Sequence, residues 1–185
     1  ADARSAFEAC CEALGAQLGS GDLSALQQEL GRLRVGHDPQ WLQRARRAVH
    51  EQDLDLSPAA DVIPAVLQGM LRELPGHAEG LSQSVAAMLR SKDSSALAQA
   101  RRIAHTLKGD ANTVGVRGLA HLTHALEDIL TELDRREGDW PAPVLALLEE
   151  ASDGVAAMAD HVLGRGPPPA DGPGLLARVY AVADA

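Results

Sequence analysis

The chain has 185 residues, enough for one domain with an appendage or for two small ones. Aromatic content is 2% and no alternating strand pattern of any length occurs, so a core has to come from aliphatic helix faces. A formal net charge of −9 argues against nucleic acid and anionic membranes as partners. There is neither a signal peptide nor an apolar run long enough to span a bilayer, which predicts a soluble, cytoplasmic protein. A start at Ala1-Asp2-Ala3 in place of Met suggests a fragment of something longer.

The N-terminal region reads as short helices. Residues 3–18 put Phe7, Cys10, Cys11, Leu14 and Leu18 on one face. Adjacent cysteines cannot form an ordinary loop-closing disulfide and lack metal-ligand spacing, so they read as buried thiols of a reducing compartment. Asp22 can cap a second helix carrying Leu23, Leu26, Leu30 and Leu33, closed by Gly36. Asp38-Pro39 opens a third, running to about Gln52, with Trp41, Leu42, Ala45 and Val49 inward.

From Ser57-Pro58 a longer helical run begins, interrupted at Pro64 and broken or kinked at Pro75-Gly76. Residues 92–95 read as a turn. The next helix carries Leu97, Ala100, Ile103, Ala104, Leu107 and Ala111 as its apolar stripe. A Gly-rich turn at 115–118 leads to a helix bearing Leu119, Leu122, Leu126, Ile129, Leu130 and Leu133. A loop spans 134–143, and a final helix carries Val144, Leu147, Leu148, Ala151, Val155, Met158 and Val162. Four long helical segments joined by short turns specify an all-α, antiparallel (up-down) four-helix bundle with additional N-terminal helices. The expected division is an N-terminal helical extension over 1–57, the bundle over 58–164, and a Pro/Gly linker with a tail over 165–185.

The polar residues of the 100–133 stretch are not placed at random. His105 lies off the buried stripe and shares a face with Arg101, Lys108 and Asn112, each three or four residues from the next. Gly109 follows one turn later, in mid-helix, where it costs roughly 1 kcal/mol against Ala. A missing side chain there would leave the imidazole open to a visiting molecule. On the second helix His124 and Glu127 share a flank that antiparallel packing can bring to His105, and a carboxylate beside an imidazole fixes its tautomer. Arg101, Arg102, Lys108 and Arg117 gather around His105 against the acidic background, as either a solvated basic face or a docking patch for an acidic partner.

The pieces A-H-T-L-K-G at 104–109 and T-H-A-L-E-D at 123–128 resemble the histidine phosphotransfer (HPt) domain, most closely the version at the N-terminus of chemotaxis-type histidine kinases. The resemblance covers about 95–135 and extends loosely to the flanking helices. It implies that His105 is the phosphoacceptor, assisted by Lys108 and Glu127; on the placement of the residues themselves, His124 is expected to order Glu127 and Gly109 to give clearance. It implies a kinase catalytic domain as donor and the Asp of a response-regulator receiver domain as acceptor. Asp110 departs from the family, which often has a small residue there. No nucleotide loop, kinase Gly-rich signature or metal cage occurs, so ATP and Mg²⁺ are expected to belong to the partner domains. The domain would be a phosphoryl carrier and not a complete enzyme, its parent chain being a histidine kinase.

A weak internal echo sets Asp22-x-Ser24-Ala25-Leu26-x-Gln28 against Asp93-x-Ser95-Ala96-Leu97-x-Gln99, with Arg34 where His105 would fall. It reads either as a degenerate phosphotransfer unit or, more simply, as two helix starts alike for capping reasons. Two rivals to the carrier reading remain at this point. One is a metal site using His105, His121 and His124 with Glu127 or Asp128, opposed by the charge of Lys108. The other is a non-catalytic helical adaptor, in which an exposed histidine means nothing.

Overall fold

In the computed structural model, residues 49–136 and 140–184 are described. They comprise a 3-10 helix, Glu51–Leu54, and five α-helices: α1 Pro64–Ser91, α2 Ser94–Val114, α3 Arg117–Arg135, α4 Ala142–Val162 and α5 Gly172–Ala183. No strand occurs among the described residues. Each of the first four helices packs against its neighbours in chain order and α4 closes back onto α1. That ring, with its short connections, is the expected all-α antiparallel bundle. No described helix is long and apolar enough to cross a membrane. The helices expected over 3–48, the paired cysteines and the echo at 22–28 lie outside the described residues. The third predicted helix is described only at its end, where His50 precedes the 3-10 helix instead of a continuing α-helix.

The two tight corners are set by local chemistry. Asp93 caps α2 by accepting from Ser95 N at 2.8 Å, directly after Lys92 ends α1 in the left-handed region at φ 49°. At the far end of α2, Gly115 takes φ 80° and Val116 N–H returns to Ala111 O at 2.9 Å, a Schellman closure. Glycine is required twice over here. A Cβ on Gly115 would lie 2.6 Å from Ala59 Cβ, because Ala59 N–H donates to Val114 O.

The core is aliphatic, as the composition demands. Leu74, Leu81 and Met88 from α1, Leu97 and Leu107 from α2, and Leu119, Leu122, Leu126 and Leu130 from α3 are all fully buried. Leu148 and Met158 of α4 complete it. Trp140 is buried where the chain enters α4, its indole N–H donating to Leu133 O at 2.9 Å. Ile103, assigned to the buried stripe, is only part-buried and leans over Gly80 of α1.

Three elements differ from the sequence reading. Helix α1 starts at Pro64, a first-turn proline, and not at Ser57. Residues 54–59 instead strap the α2–α3 corner, with Gly118 N–H donating to Asp55 O at 2.9 Å. Pro75-Gly76 does not break α1, whose buried residues Leu74, Ala78 and Leu81 continue across it, so packing overrides the proline penalty. The tail expected to follow a linker is helix α5, capped by Asp171 and docked on α3 and α4 through Leu175, Leu176, Val179 and Tyr180. It is too short to be stable alone, and what holds it is burial: Leu175 fits a notch that Gly154 leaves in α4. Arg178 adds an ion pair to Glu150, and Tyr180 Oη lies 2.8 Å from His121 Nδ1.

Candidate functional site

Antiparallel packing of α2 on α3 brings His105, Lys108 and Glu127 together. His105 Nδ1 is 2.8 Å from Glu127 Oε1, and Lys108 Nζ lies 2.5 Å from Glu127 Oε2. The imidazole stands outward, its side chain 68% exposed, whereas that of Glu127 is 19% exposed. Burial pushes the Glu127 carboxyl up, but the hydrogen bonds and charges of Lys108 and His105 outweigh it, leaving the group below its ordinary value. An ionised carboxylate only accepts, so the shared proton sits on His105 Nδ1. The other ring nitrogen, Nε2, then carries the free lone pair. In its neutral form the ring can therefore offer an unprotonated nitrogen on its exposed side, with a carboxylate ready to stabilise positive charge.

The other residues singled out from the sequence divide into those that join this group and those that do not. Gly109 is exposed, and a Cβ built there would meet nothing within 4 Å, so the surface beside the ring is open. Arg101 does not reach the group, because its guanidinium is held by Asp134 of α3 at 2.7 Å. Arg102 turns away to Gln99 Oε1 at 3.4 Å and helps line a groove with His77, Ile103 and Thr106. Asn112 is exposed and nothing links it to Glu127. His124 does not order Glu127. Its Nε2 lies 3.7 Å from Asp128 Oδ2, one turn on along its own helix, and that nearer carboxylate takes its place.

Asp110 faces α1, its Oδ2 3.7 Å from His77 Nδ1, so its charge is directed away from the α3 side where Glu127 receives His105. Burial pushes its carboxyl up, His77 opposes the shift, and Glu73 adds to it. The three-histidine metal cage is not assembled. His105 is on Glu127, His124 is beside Asp128, and His121 is engaged by Tyr180 and lies 3.7 Å from Asp53. Asp134 is the residue that the sequence reading missed. Its signal was register only in part: in an antiparallel pair a position one turn before His105 faces one about a turn after Glu127, and the long Arg101 side chain reaches past it to Asp134.

No solved structure matches the sequence significantly. Three curated relatives named chemotaxis protein CheA do. The protein of Bacillus subtilis is 38% identical over 65 residues, 35% of this chain and 10% of its own length. That of Halobacterium salinarum is 28% identical over 119 residues, 64% of this chain and 18% of its own length. That of Treponema pallidum is 38% identical over 78 residues, 42% of this chain and 10% of its own length. The matched stretch is thus less than a fifth of each relative. The sequence profile of the Hpt domain matches residues 65–161, which takes in α2 and α3 whole and nearly all of α1 and α4. With that span and the His105–Glu127 pairing inside it, the chain belongs to the Hpt domain family, the histidine phosphotransfer domains of two-component signalling.

Proposed function

We propose that His105 accepts a phosphoryl group on Nε2 and passes it to the aspartate of a response-regulator receiver domain. The observation that carries this reading is the 2.8 Å contact of Nδ1 with Glu127, which leaves Nε2 the nucleophile on an exposed ring. The lone pair of Nε2 forms the N–P bond as the bond from phosphorus to the donor's leaving oxygen breaks. With ATP as donor, ADP leaves with that electron pair. The ring gains positive charge while Nδ1–H stays on Glu127, whose carboxylate offsets it. Transfer onward reverses the sense: a receiver carboxylate oxygen attacks phosphorus, the N–P bond breaks, and the neutral imidazole is regenerated.

Lys108 keeps Glu127 ionised and puts positive charge on the face that the phosphoryl group approaches. Gly109 leaves room for the partner domain that delivers or collects it. Phosphoryl transfer asks mainly for positioning and charge stabilisation, so the ATP and Mg²⁺ that the reaction uses are held by the donor's catalytic domain. Likeness to the CheA proteins supports a cytoplasmic role in a chemotaxis-type pathway, within a parent chain that also carries kinase and coupling regions.

Incubating the chain with a chemotaxis-type kinase catalytic domain and radiolabelled ATP tests the assignment. The label is expected to be acid-labile and base-stable, and absent from His105→Gln of unchanged helical circular dichroism. Label retained on that variant would overturn it.

A further inference from the structure

On the seam between α1 and α2, on a different side of α2 from the one that meets α3, Glu73, His77 and Asp110 converge. One donor atom from each lies within 4.8 Å of the other two. Glu73 and His77 are four apart on α1 and so share a face, and Asp110 meets them from α2. His77 Nδ1 is buried without a hydrogen-bond partner, and its nearest carboxylate oxygen, on Asp110, is 3.7 Å away. That separation is too long for a hydrogen bond.

We propose that Glu73, His77 and Asp110 bind a divalent transition-metal ion of the zinc class, pinning α1 to α2 beside the Lys108–Gly109 turn. Three features distinguish this from an ordinary histidine–aspartate contact. First, a structural pair closes to hydrogen-bond length, whereas this imidazole nitrogen is withdrawn from water and left unsatisfied. Second, Glu73 brings another negative charge to Asp110, a liability for a simple ion pair and a ligand for a cation. Third, the spacing suits a metal. Tetrahedral bonds of about 2.0–2.1 Å set neighbouring donor atoms about 3.3 Å apart, so small side-chain rotations close the set. An imidazole nitrogen with two carboxylates favours zinc and its neighbours over calcium or magnesium, which prefer all-oxygen shells. Three protein ligands leave a position for water, and the exposed side of Glu73 gives the ion a way in.

The test is calorimetric titration of the full chain with Zn²⁺, alongside Glu73→Gln, His77→Gln, Asp110→Asn and His105→Gln, each checked for helical content. Saturable binding is expected in the wild type, weakened about tenfold or more by each of the first three changes and untouched by His105→Gln. Nitrogen NMR of His77 is expected to show the ion on Nδ1, and the unfolding midpoint to rise with Zn²⁺ only where the three ligands are intact. Glu73→Gln keeps the test open should His77→Gln or Asp110→Asn lose the fold, since Glu73 is exposed. Absence of binding, binding that survives loss of Glu73 and Asp110, or an ion that leaves with His105 would each overturn the proposal.

Discussion

Arg101 of α2 and Asp134 of α3 are joined at 2.7 Å, one turn before the contact of His105 with Glu127, so the two helices that share the site are clamped twice along the same seam. Two of the four basic residues read from the sequence as one face are therefore neutralised within the molecule. Arg101 is on Asp134 and Lys108 is on Glu127. Both partners of the Arg101 pair are more than a third exposed, which places its worth at about 0–1 kcal/mol. Arg101→Met is accordingly expected to lower unfolding free energy by no more than that, and by less in high salt, as measured by urea denaturation.

Glu127→Gln tests the tautomer argument. A carboxamide can donate as well as accept and carries no charge, so Nδ1 loses its fixed proton and the phosphorylated ring loses its counter-charge. Phosphoryl acceptance is expected to fall by roughly 10²-fold, the cost of a misplaced or mis-protonated reactant. Nitrogen NMR of the ring should show the Nε2-protonated form appearing in the variant. An unchanged rate would mean that the carboxylate is only structural.

Lys108 governs acid behaviour through Glu127. The Glu127 carboxyl is held below its ordinary value of 4.5, against the upward push of burial, by Lys108 and His105. Its contribution to stability is complete above 4.5 and is lost as pH falls through the lower folded value. Lys108→Met removes the larger of the two opposing partners and leaves burial in place. The Glu127 pKa should then rise in a carbon-NMR titration, and acid unfolding should begin at a higher pH than in the wild type.

Two glycines one helix apart should respond oppositely to alanine. Gly109 has open space where a Cβ would go, so Gly109→Ala should stabilise the chain by about 0.5–1 kcal/mol through helix propensity. It should slow phosphoryl exchange with protein domains more than with a small donor such as phosphoramidate. A Cβ on Gly118 would lie 2.9 Å from Leu56 Cδ2 and 3.0 Å from Leu54 O, backbone that cannot yield cheaply. Gly118→Ala should cost about 1–3 kcal/mol, read by thermal unfolding.

The bundle and the heart of the site were legible in the sequence for one reason: helical periodicity decides which side chains share a face. All six residues assigned to the buried stripe of α3, from Leu119 to Leu133, are buried, though Ala120, Thr123 and Ala125 join them unannounced, and Glu127 does approach His105. Legibility failed where a choice between neighbours or a distant surface decides. His124 is three residues from Glu127 but four from Asp128, and the second neighbour has it. The strap over 54–59 depends on hydrogen bonds to Val114 and from Gly118, which no local pattern announces. Pro- and Gly-rich residues before Leu175 read as a linker, and only the notch at Gly154 makes α5 a docked helix. Asp110 could be seen as a departure but not oriented, since its direction depends on which side of α2 the first helix packs.

Trp140 gives the molecule an optical consequence. The chain has two indoles, Trp41 and Trp140, so replacing Trp41 by Phe leaves a single tryptophan at the α3–α4 corner. Its ring nitrogen is tied to the last turns of the helix that carries Glu127. Emission from it will follow fraying of that helix from its C-terminal end, while chemistry at His105 itself stays dark.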